Sequence, residues 1–373
     1  MENKGIEQLE KHLVPMFADA IEKKIFSAAA AAVFFHQKNS IKKRIFAFGR
    51  TRNDEKGEQV KDDTLFDLAS LTKPLCTVPC ILSLLENKEL EWNTDLNILK
   101  NDKNPFFFKK ITIEQLLSHS AGLIDYKPFY KDFEAVYVNE AKKLLLNKIK
   151  NEPLVYHPGE KCVYSDIGYM LLGEVVEKIT GMGIDKYFTE FIAKPLKVDR
   201  DILFRPLSLK NEKKVSIAAT EMCPWRKRLL QGEVHDEHSW LMGGAAGHAG
   251  LFGTAAGVLA MAENILYQWQ GKVNHPAYRY ELIQKALAWK KENQTWSMGF
   301  DRPSAKGSSA GNYFSKNSAG HLGFTGTSFW IDPEREIIAV LLTNRVHPTR
   351  RNEEIKKFRP LFHDTVIRSL KIQ

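Results

Sequence analysis

The chain has 373 residues, 43% of them hydrophobic and 27% charged, with 54 Lys and Arg against 45 Asp and Glu for a net charge of +9. That composition excludes a disordered or collagen-like chain. At this length roughly three quarters of the unfolded surface can be buried, so no disulfide or structural metal is needed, and two domains or one large composite unit are expected.

The positive balance gives a pI near 9.1, which raises the question of an acidic partner. The basic residues are spread over the whole chain, however, and the densest groups, Arg350-Arg351 and Lys356 to Arg359, read as solvated faces. No aromatic-interleaved RNA motif or helix-turn-helix signature accompanies them, so no nucleic-acid partner is expected. The longest apolar run, Ile25 to Phe35, is mostly alanine and too short to cross a bilayer, so no membrane partner is expected either. Glu2, Glu7, Glu10, Asp19 and Glu22 precede it, unlike a positively charged leader. The four cysteines (Cys76, Cys80, Cys162, Cys223) form no CxxC and no ligand-spaced cluster and read as reduced structural thiols. Together these features predict a cytoplasmic protein.

In chain order, Ile6, Leu9, Leu13, Phe17 and Ile21 recur at helical spacing and predict an opening helix. Ala28 to His36 and Arg44 to Gly49 follow as strand-like runs joined by a turn over Gln37, Lys38, Asn39 and Ser40. Helical segments are expected at Pro74 to Asn87, Ile113 to Ser118, Glu140 to Ile149, Gly168 to Lys178 and Gly257 to Gln268. Loop-rich stretches at 205 to 256 and 301 to 320 are where a site is expected. Gly326 to Asp332 and Glu336 to Thr343 then form a second strand pair around Pro333-Glu334-Arg335. A last helix uses Phe362, Val366 and Leu370, with Pro360 starting or kinking it. The pattern predicts an α/β (α+β) fold: an antiparallel sheet flanked by N- and C-terminal helices, with a mainly α-helical insertion. The expected boundaries are 1–64 with 301–373 for the sheet domain and 65–300 for the helical one, with the site at their junction.

Three short motifs carry chemistry. Ser70-Leu71-Thr72-Lys73 places an amine three residues after a hydroxyl, on one face of any helix that starts there. A serine is a weak nucleophile until a neighbour takes its proton, and an amine kept neutral by its surroundings can do so. Backbone N–H groups at a helix start would favour the developing negative charge, and Pro74 fits that placement, whereas Pro79 should kink the helix. Ser40-Ile41-Lys42-Lys43 has the same spacing but falls in a hairpin turn, while Ser70 leads from an apolar segment into an apolar helix. The second motif is Tyr164-Ser165-Asp166, between His157-Pro158-Gly159 and a helix, and the third is His321-Leu322-Gly323-Phe324-Thr325-Gly326-Thr327, opening a strand.

Taken in order, the three resemble the Ser-x-x-Lys, Tyr-x-Asn and Lys/His-x-Gly of the class C β-lactamase and penicillin-binding-protein group of serine hydrolases. Ile111 to Ile113, Leu117 to Leu123, Gly232 to Asp236, Gly247 to Phe252 and His321 to Pro333 extend the likeness over about residues 10 to 370. The resemblance implies that Ser70 is acylated, Lys73 activates it, and Tyr164 shuttles the proton to the leaving group and later activates water; either Lys73 or Tyr164 could be the base. It implies an oxyanion hole of the Ser70 and Phe324 N–H groups, with Asp166, His321, Gly323 and Phe324 on the substrate side and no metal or organic cofactor.

Two departures bear on substrate. Asp166 stands where the family has Asn; an ionised Asp only accepts hydrogen bonds, and its charge holds Lys73 protonated more strongly. His321 stands where most β-lactamases have Lys, and a neutral imidazole is a weaker carboxylate anchor, a task that Arg345 or Arg350 could take over. Both favour an esterase or peptide-amide hydrolase acting on a small molecule or peptidoglycan-type fragment. The alternatives are a true β-lactamase or D-alanyl carboxypeptidase, and, in another class, a non-hydrolytic binding or scaffold protein on the same fold.

Other patterns are set aside. Gly307-Ser308-Ser309-Ala310-Gly311 matches GxSxG but lacks the flanking strand and helix. His235, Asp236, His238 and His248 have poor zinc spacing and are expected to hydrogen-bond in a loop beside the cleft. Gly243 to Gly247 lacks phosphate-loop spacing and marks a close backbone approach, and Trp225-Arg226 could pack or recognise substrate.

Overall fold

The structure is a computed structural model and describes residues 4–37, 40–99, 111–134, 140–211 and 215–371. The expected turn at Lys38-Asn39 lies outside the described residues; Gln37 and Ser40 beside it are paired. The helices are α1 (Lys4–Glu22), α2 (Val78–Glu86), α3 (Ile113–Leu117), α4 (Ala141–Lys150), α5 (Asp166–Thr180), α6 (Ile184–Tyr187), α7 (Glu237–Leu241), α8 (Ala255–Trp269), α9 (Tyr280–Ala288) and α10 (Ile355–Leu370). The strands are β1 (Ala28–Gln37), β2 (Ser40–Gly49), β3 (Phe66–Asp67), β4 (Ile202–Phe204), β5 (Ala219–Cys223), β6 (Arg228–Gln231), β7 (Leu251–Gly253), β8 (Ala319–Leu322), β9 (Ser328–Asp332) and β10 (Ile337–Thr343).

The main sheet has the order β2-β1-β10-β9-β8 and is antiparallel throughout. Its central strand, β10, comes from the C-terminal end of the chain and pairs with β1 from the N-terminal end, with Ala29 opposite Thr343 and Phe34 opposite Ile338. Side chains alternate between faces along a strand. Ala28, Ala30, Ala32 and Phe34 therefore enter the core shared with α2, α5 and α8, while Ala29, Ala31, Val33 and Phe35 enter a second core closed by α1 and α10. Burial on both faces is why β1 reads as a continuous apolar run, and its alanines let helices approach closely.

The middle of the chain is not helical alone. β3, β7 and β4 form a small antiparallel sheet, and β5 and β6 form a hairpin, so the stretch 205 to 256 holds three strands and α7 where loops were expected. Short strands of three to five residues carry too little alternation to be told from loop. Ser40 opens β2, and Lys43 reaches Glu263 on α8, so the competing serine–lysine pair is not on a helix. Pro360 lies inside α10, which starts five residues earlier at Ile355.

Candidate active site

The segment bearing Ser70 is set by Asp67, at the end of β3. Its buried carboxylate accepts the Ala69 N–H (2.8 Å) and the His235 N–H (2.6 Å). Those bonds turn the chain sharply, and Ala69 has a left-handed φ of +48°, a backbone state that costs a residue with a Cβ about 1–2 kcal/mol. The turn leads into a 3₁₀ stretch at Ala69–Leu71, a π-turn at Lys73–Thr77 and then α2. The expected single helix is thus split. Pro79 lies in the first turn of α2, where its missing N–H has no intrahelical carbonyl to serve, and the wide π-turn carries the chain to it.

Lys73 is fully buried, and its Nζ donates to Asp166 Oδ1 (2.6 Å) and to the main-chain oxygen of His248 (3.1 Å). Burial pulls the ammonium below the ordinary lysine range, and the Asp166 carboxylate pulls the other way. The expected effect of Asp166 is present in sign, but desolvation is larger. Asp166 opens α5 behind the N-cap Ser165 and stays about a quarter exposed on the cavity side.

Tyr164 sits between these groups, its hydroxyl within interaction reach of both Ser70 and Asp166, and Lys73 Nζ lies 4.9 Å from its ring centroid. Burial and the Asp166 charge push the phenol well above its ordinary value, with Ser70 opposing, so the tyrosine is a neutral phenol in the resting site. His119 brackets it. The His119 carbonyl accepts the Val163 N–H (2.9 Å), its Nδ1 accepts the Ser165 N–H (3.1 Å), and its ring lies 4.6 Å from that of Tyr164. Because Nδ1 is an acceptor, neutral His119 carries its proton on Nε2, and burial holds it well below the ordinary histidine range.

The third motif is a hairpin rather than the start of a strand: His321 lies on β8, Gly323 to Thr327 form the turn, and β9 begins at Ser328. The turn is tied to the Ser70 segment, with Thr325 Oγ1 donating to the Asp67 oxygen (2.7 Å) and Thr327 Oγ1 to the Leu68 oxygen (3.0 Å). Gly323 is required by that approach, since a Cβ there would meet the Leu68 oxygen at 2.7 Å. Among the described residues neither the Ser70 nor the Phe324 N–H donates to a protein acceptor. His321 Nδ1 donates to the Leu322 oxygen (2.8 Å), and burial depresses its pKa to about 3, so the imidazole is neutral at pH 7.

Ser70, Tyr164, Asp166, His321, Gly323 and Phe324 all line one cavity of about 660 Å³. Lys73 touches it only through Asp166 and Tyr164. Arg345 and Arg350 also face this cavity but differ in how they are held. Arg350 is paired with Glu221 and Glu237, whereas Arg345 donates to the main-chain oxygens of Phe324, Arg350 and Asn352. His235 pairs with Glu221 and His248 with Asp236, while His238 accepts the Tyr130 N–H, and among the described residues no metal-holding cluster forms. Gly247 abuts Gly173 of α5, where a Cβ would meet the Gly173 nitrogen at 2.9 Å. Arg226 is buried against the Val234 and His235 oxygens, and Trp225 packs on Trp240. Ser309 lies apart from this cavity, its carbonyl accepting a bond from His363.

Trp296 and Arg359 line the cavity without having been singled out from the sequence. Trp296 sits in an irregular stretch with no periodic signal. Arg359 is buried rather than part of a solvated face; its four-residue spacing from Ile355 and His363, both buried, is the sign that could have shown it.

A family model described as Beta-lactamase matches residues 17–361. The chain is 33% identical over 308 residues to a protein of Escherichia coli (strain K12) named "Putative D-alanyl-D-alanine carboxypeptidase", covering 76% of this chain and 70% of that one. It is 31% identical over 354 residues to the N-acetylmuramyl-L-alanine amidase of Bacillus subtilis (strain 168), covering 88% and 80%. Among solved structures it superposes on EstCE1, a hydrolase with promiscuous acyltransferase activity, with a TM-score of 0.74 at 18% identity over 96% of this chain and 98% of that one. Unliganded simvastatin synthase LovD from Aspergillus terreus gives 0.70 at 18% identity, with 96% and 98% covered. The sequence relatives and the shared architecture agree, and the chain belongs to the beta-lactamase family of serine hydrolases.

Proposed function

We propose that the protein forms an acyl-enzyme at Ser70 and hydrolyses an amide or ester of a small peptidoglycan-type fragment. The observation that carries this is the convergence of Ser70, Tyr164, Asp166 and two N–H groups without acceptors on one cavity wall, with Lys73 buried behind them. Ser70 Oγ bonds to the substrate carbonyl carbon while its proton passes to the neutral Tyr164 phenol, the side chain in reach of it, which in the same step hands its own hydroxyl proton to the Asp166 carboxylate paired with Lys73. The carbonyl oxygen takes the developing charge into the Ser70 and Phe324 N–H groups. As the C–N or C–O bond breaks, Tyr164 returns the proton to the leaving group, and the same side chain then draws a proton from the water that releases the acid.

The substrate class is supported by the names of the two relatives. Asp166 and the neutral His321 favour an esterase or peptide-amide hydrolase over a dedicated β-lactamase. The four cysteines are all free and buried, as a reducing compartment would leave them, which supports a cytoplasmic location. Among the described residues no helix is long and apolar enough to cross a membrane.

Intact-mass spectrometry after exposure to a fluorophosphonate, with Ser70→Ala and Ser309→Ala alongside, tests the reading. A single adduct lost only in Ser70→Ala is expected. No adduct on folded wild type would favour a non-hydrolytic binding role, and loss only in Ser309→Ala would move the nucleophile.

A further inference from the structure

Arg359 is 7% exposed, yet among the described residues no carboxylate lies within ion-pair distance of it, and its Nε has no partner. Its Nη2 donates to the main-chain oxygens of Gly323 and Thr327 (3.2 Å to the latter). Neither oxygen needs that bond. The Gly323 oxygen already accepts the Gly326 N–H (3.1 Å), and the Thr327 oxygen accepts the Gly323 N–H (2.8 Å). A buried cation that satisfies no orphaned group and has no counter-charge is costly to keep.

The placement supplies a reason. The Gly323 carbonyl and the Phe324 N–H belong to the same peptide unit. A cation donating to the carbonyl oxygen draws electron density through that amide, makes the N–H at its other end a stronger donor and fixes the peptide plane. Arg345 acts on the next unit, its Nε donating to the Phe324 oxygen (2.7 Å) with its guanidinium carbon 4.3 Å from the Phe324 ring centroid. Two guanidinium groups thus flank the Gly323–Thr327 turn; burial, joined by the charge of Arg345, lowers Arg359's hold on its proton, while Arg345 is itself offset in part by Glu353 and Glu221. Burial brings Arg359 down to about 9.

We propose that Arg359 is a positioning residue that polarises the Gly323–Phe324 peptide, so that its N–H and the guanidinium charge behind it receive the oxyanion formed on attack by Ser70. This rests on Ser70 being the nucleophile. The missing counter-charge of Arg359 is then the oxyanion itself, present only as the reaction proceeds, which places the stabilisation in the transition state rather than in substrate binding.

The test compares wild type, Arg359→Lys and Arg359→Met on two chromogenic esters, one neutral and one carrying a carboxylate in its acyl part. Thermal stability and Ser70 labelling by a fluorophosphonate are followed alongside. Arg359→Met should lower kcat on both esters by the same factor, about 100-fold, the size seen when one oxyanion donor is lost. KM should stay within about twofold, Tm should be unchanged or higher because an unpaired buried charge has gone, and Ser70 labelling should be slower but complete. Arg359→Lys should recover part of the rate. A KM increase confined to the carboxylate ester would overturn the proposal and make Arg359 a substrate anchor. A rate loss that tracks a fall in Tm, with no recovery in Arg359→Lys, would overturn it in favour of a structural role. Wild type that labels at a serine other than Ser70 would sink the functional reading and this inference together, a result separable from the first two because it needs no Arg359 variant.

Discussion

Lys73 Nζ and Asp166 Oδ1 are 2.6 Å apart, the lysine sealed from solvent and the aspartate open to the cavity on its other side. The pair joins the motif that bears Ser70 to the one that bears Tyr164 across 93 residues of sequence. Its carboxylate lines the same cavity as Ser70, so under the proposed mechanism its charge would bear on catalysis and specificity at once.

Asp166→Asn removes the charge that opposes desolvation of Lys73, so the amine should lose its proton at lower pH. The new amide can also donate to a substrate carbonyl, which a carboxylate cannot. Turnover of a chromogenic β-lactam should rise relative to that of a simple ester, read as the ratio of the two kcat/KM values. An unchanged ratio would count against the charge argument.

His119 holds the main chain on both sides of Tyr164, and Asn can replace the acceptor that its Nδ1 provides to Ser165. His119→Asn should therefore retain about tenfold more kcat than His119→Ala, since a 1 Å misplacement of a catalytic group can cost about 100-fold. Equal losses in the two variants would show that the bond to Ser165 is irrelevant to the rate.

Gly247 and Gly243 lie in the same glycine-rich loop and should respond differently to alanine. At Gly247 a Cβ runs into the Tyr169 oxygen and the Gly173 backbone of α5, which predicts about 2–4 kcal/mol of lost stability. At Gly243 nothing lies within 4 Å, and the cost is only that of a φ of +86°, about 1 kcal/mol. Urea midpoints of the two variants decide it; the reverse order would be incompatible with this packing.

Burial depresses His321 and His363 to about 3 each. Above pH 6.5 both states of the protein carry these groups neutral, and they contribute nothing to the pH dependence. Below it the unfolded chain binds protons that the folded chain refuses, so stability falls as pH drops from 6.5 towards 3. Between pH 6.5 and 5 the two together should cost roughly 3 kcal/mol, and His363→Gln should flatten the slope of unfolding free energy against pH by about half of that share.

The long periodic elements and the three motifs were legible because their signals are local: helical spacing in α5 and α8, a continuous apolar run through β1, and fixed offsets from Ser70, Tyr164 and His321. The turn at Ala69 was not, since it follows from the Asp67 carboxylate catching two backbone N–H groups, one of them 168 residues away at His235. The split of α2 by a π-turn has the same character. Arg359 was hidden by its neighbours, because a basic cluster averages to a wetted surface unless each residue is placed on its helix face. The short strands β3 to β7 gain their order from one another, through pairings such as Phe66 with Gly253 and Ile202 with Gly253.

The seating of β1 between β2 and β10 has a consequence for the order of assembly. Ala29 finds Thr343 only after more than 300 residues have been made, and closing so long a loop makes the central pairing a late event. The turn that carries Phe324 is hung from the same late-arriving sheet and is fastened to Asp67 and Leu68 only when it docks. A nascent chain can therefore hold the Ser70–Lys73 segment well before the Phe324 N–H, proposed to take the oxyanion, is brought beside it. During synthesis the serine would sit in a half-built site, and reactivity would switch on with the final closure of the sheet.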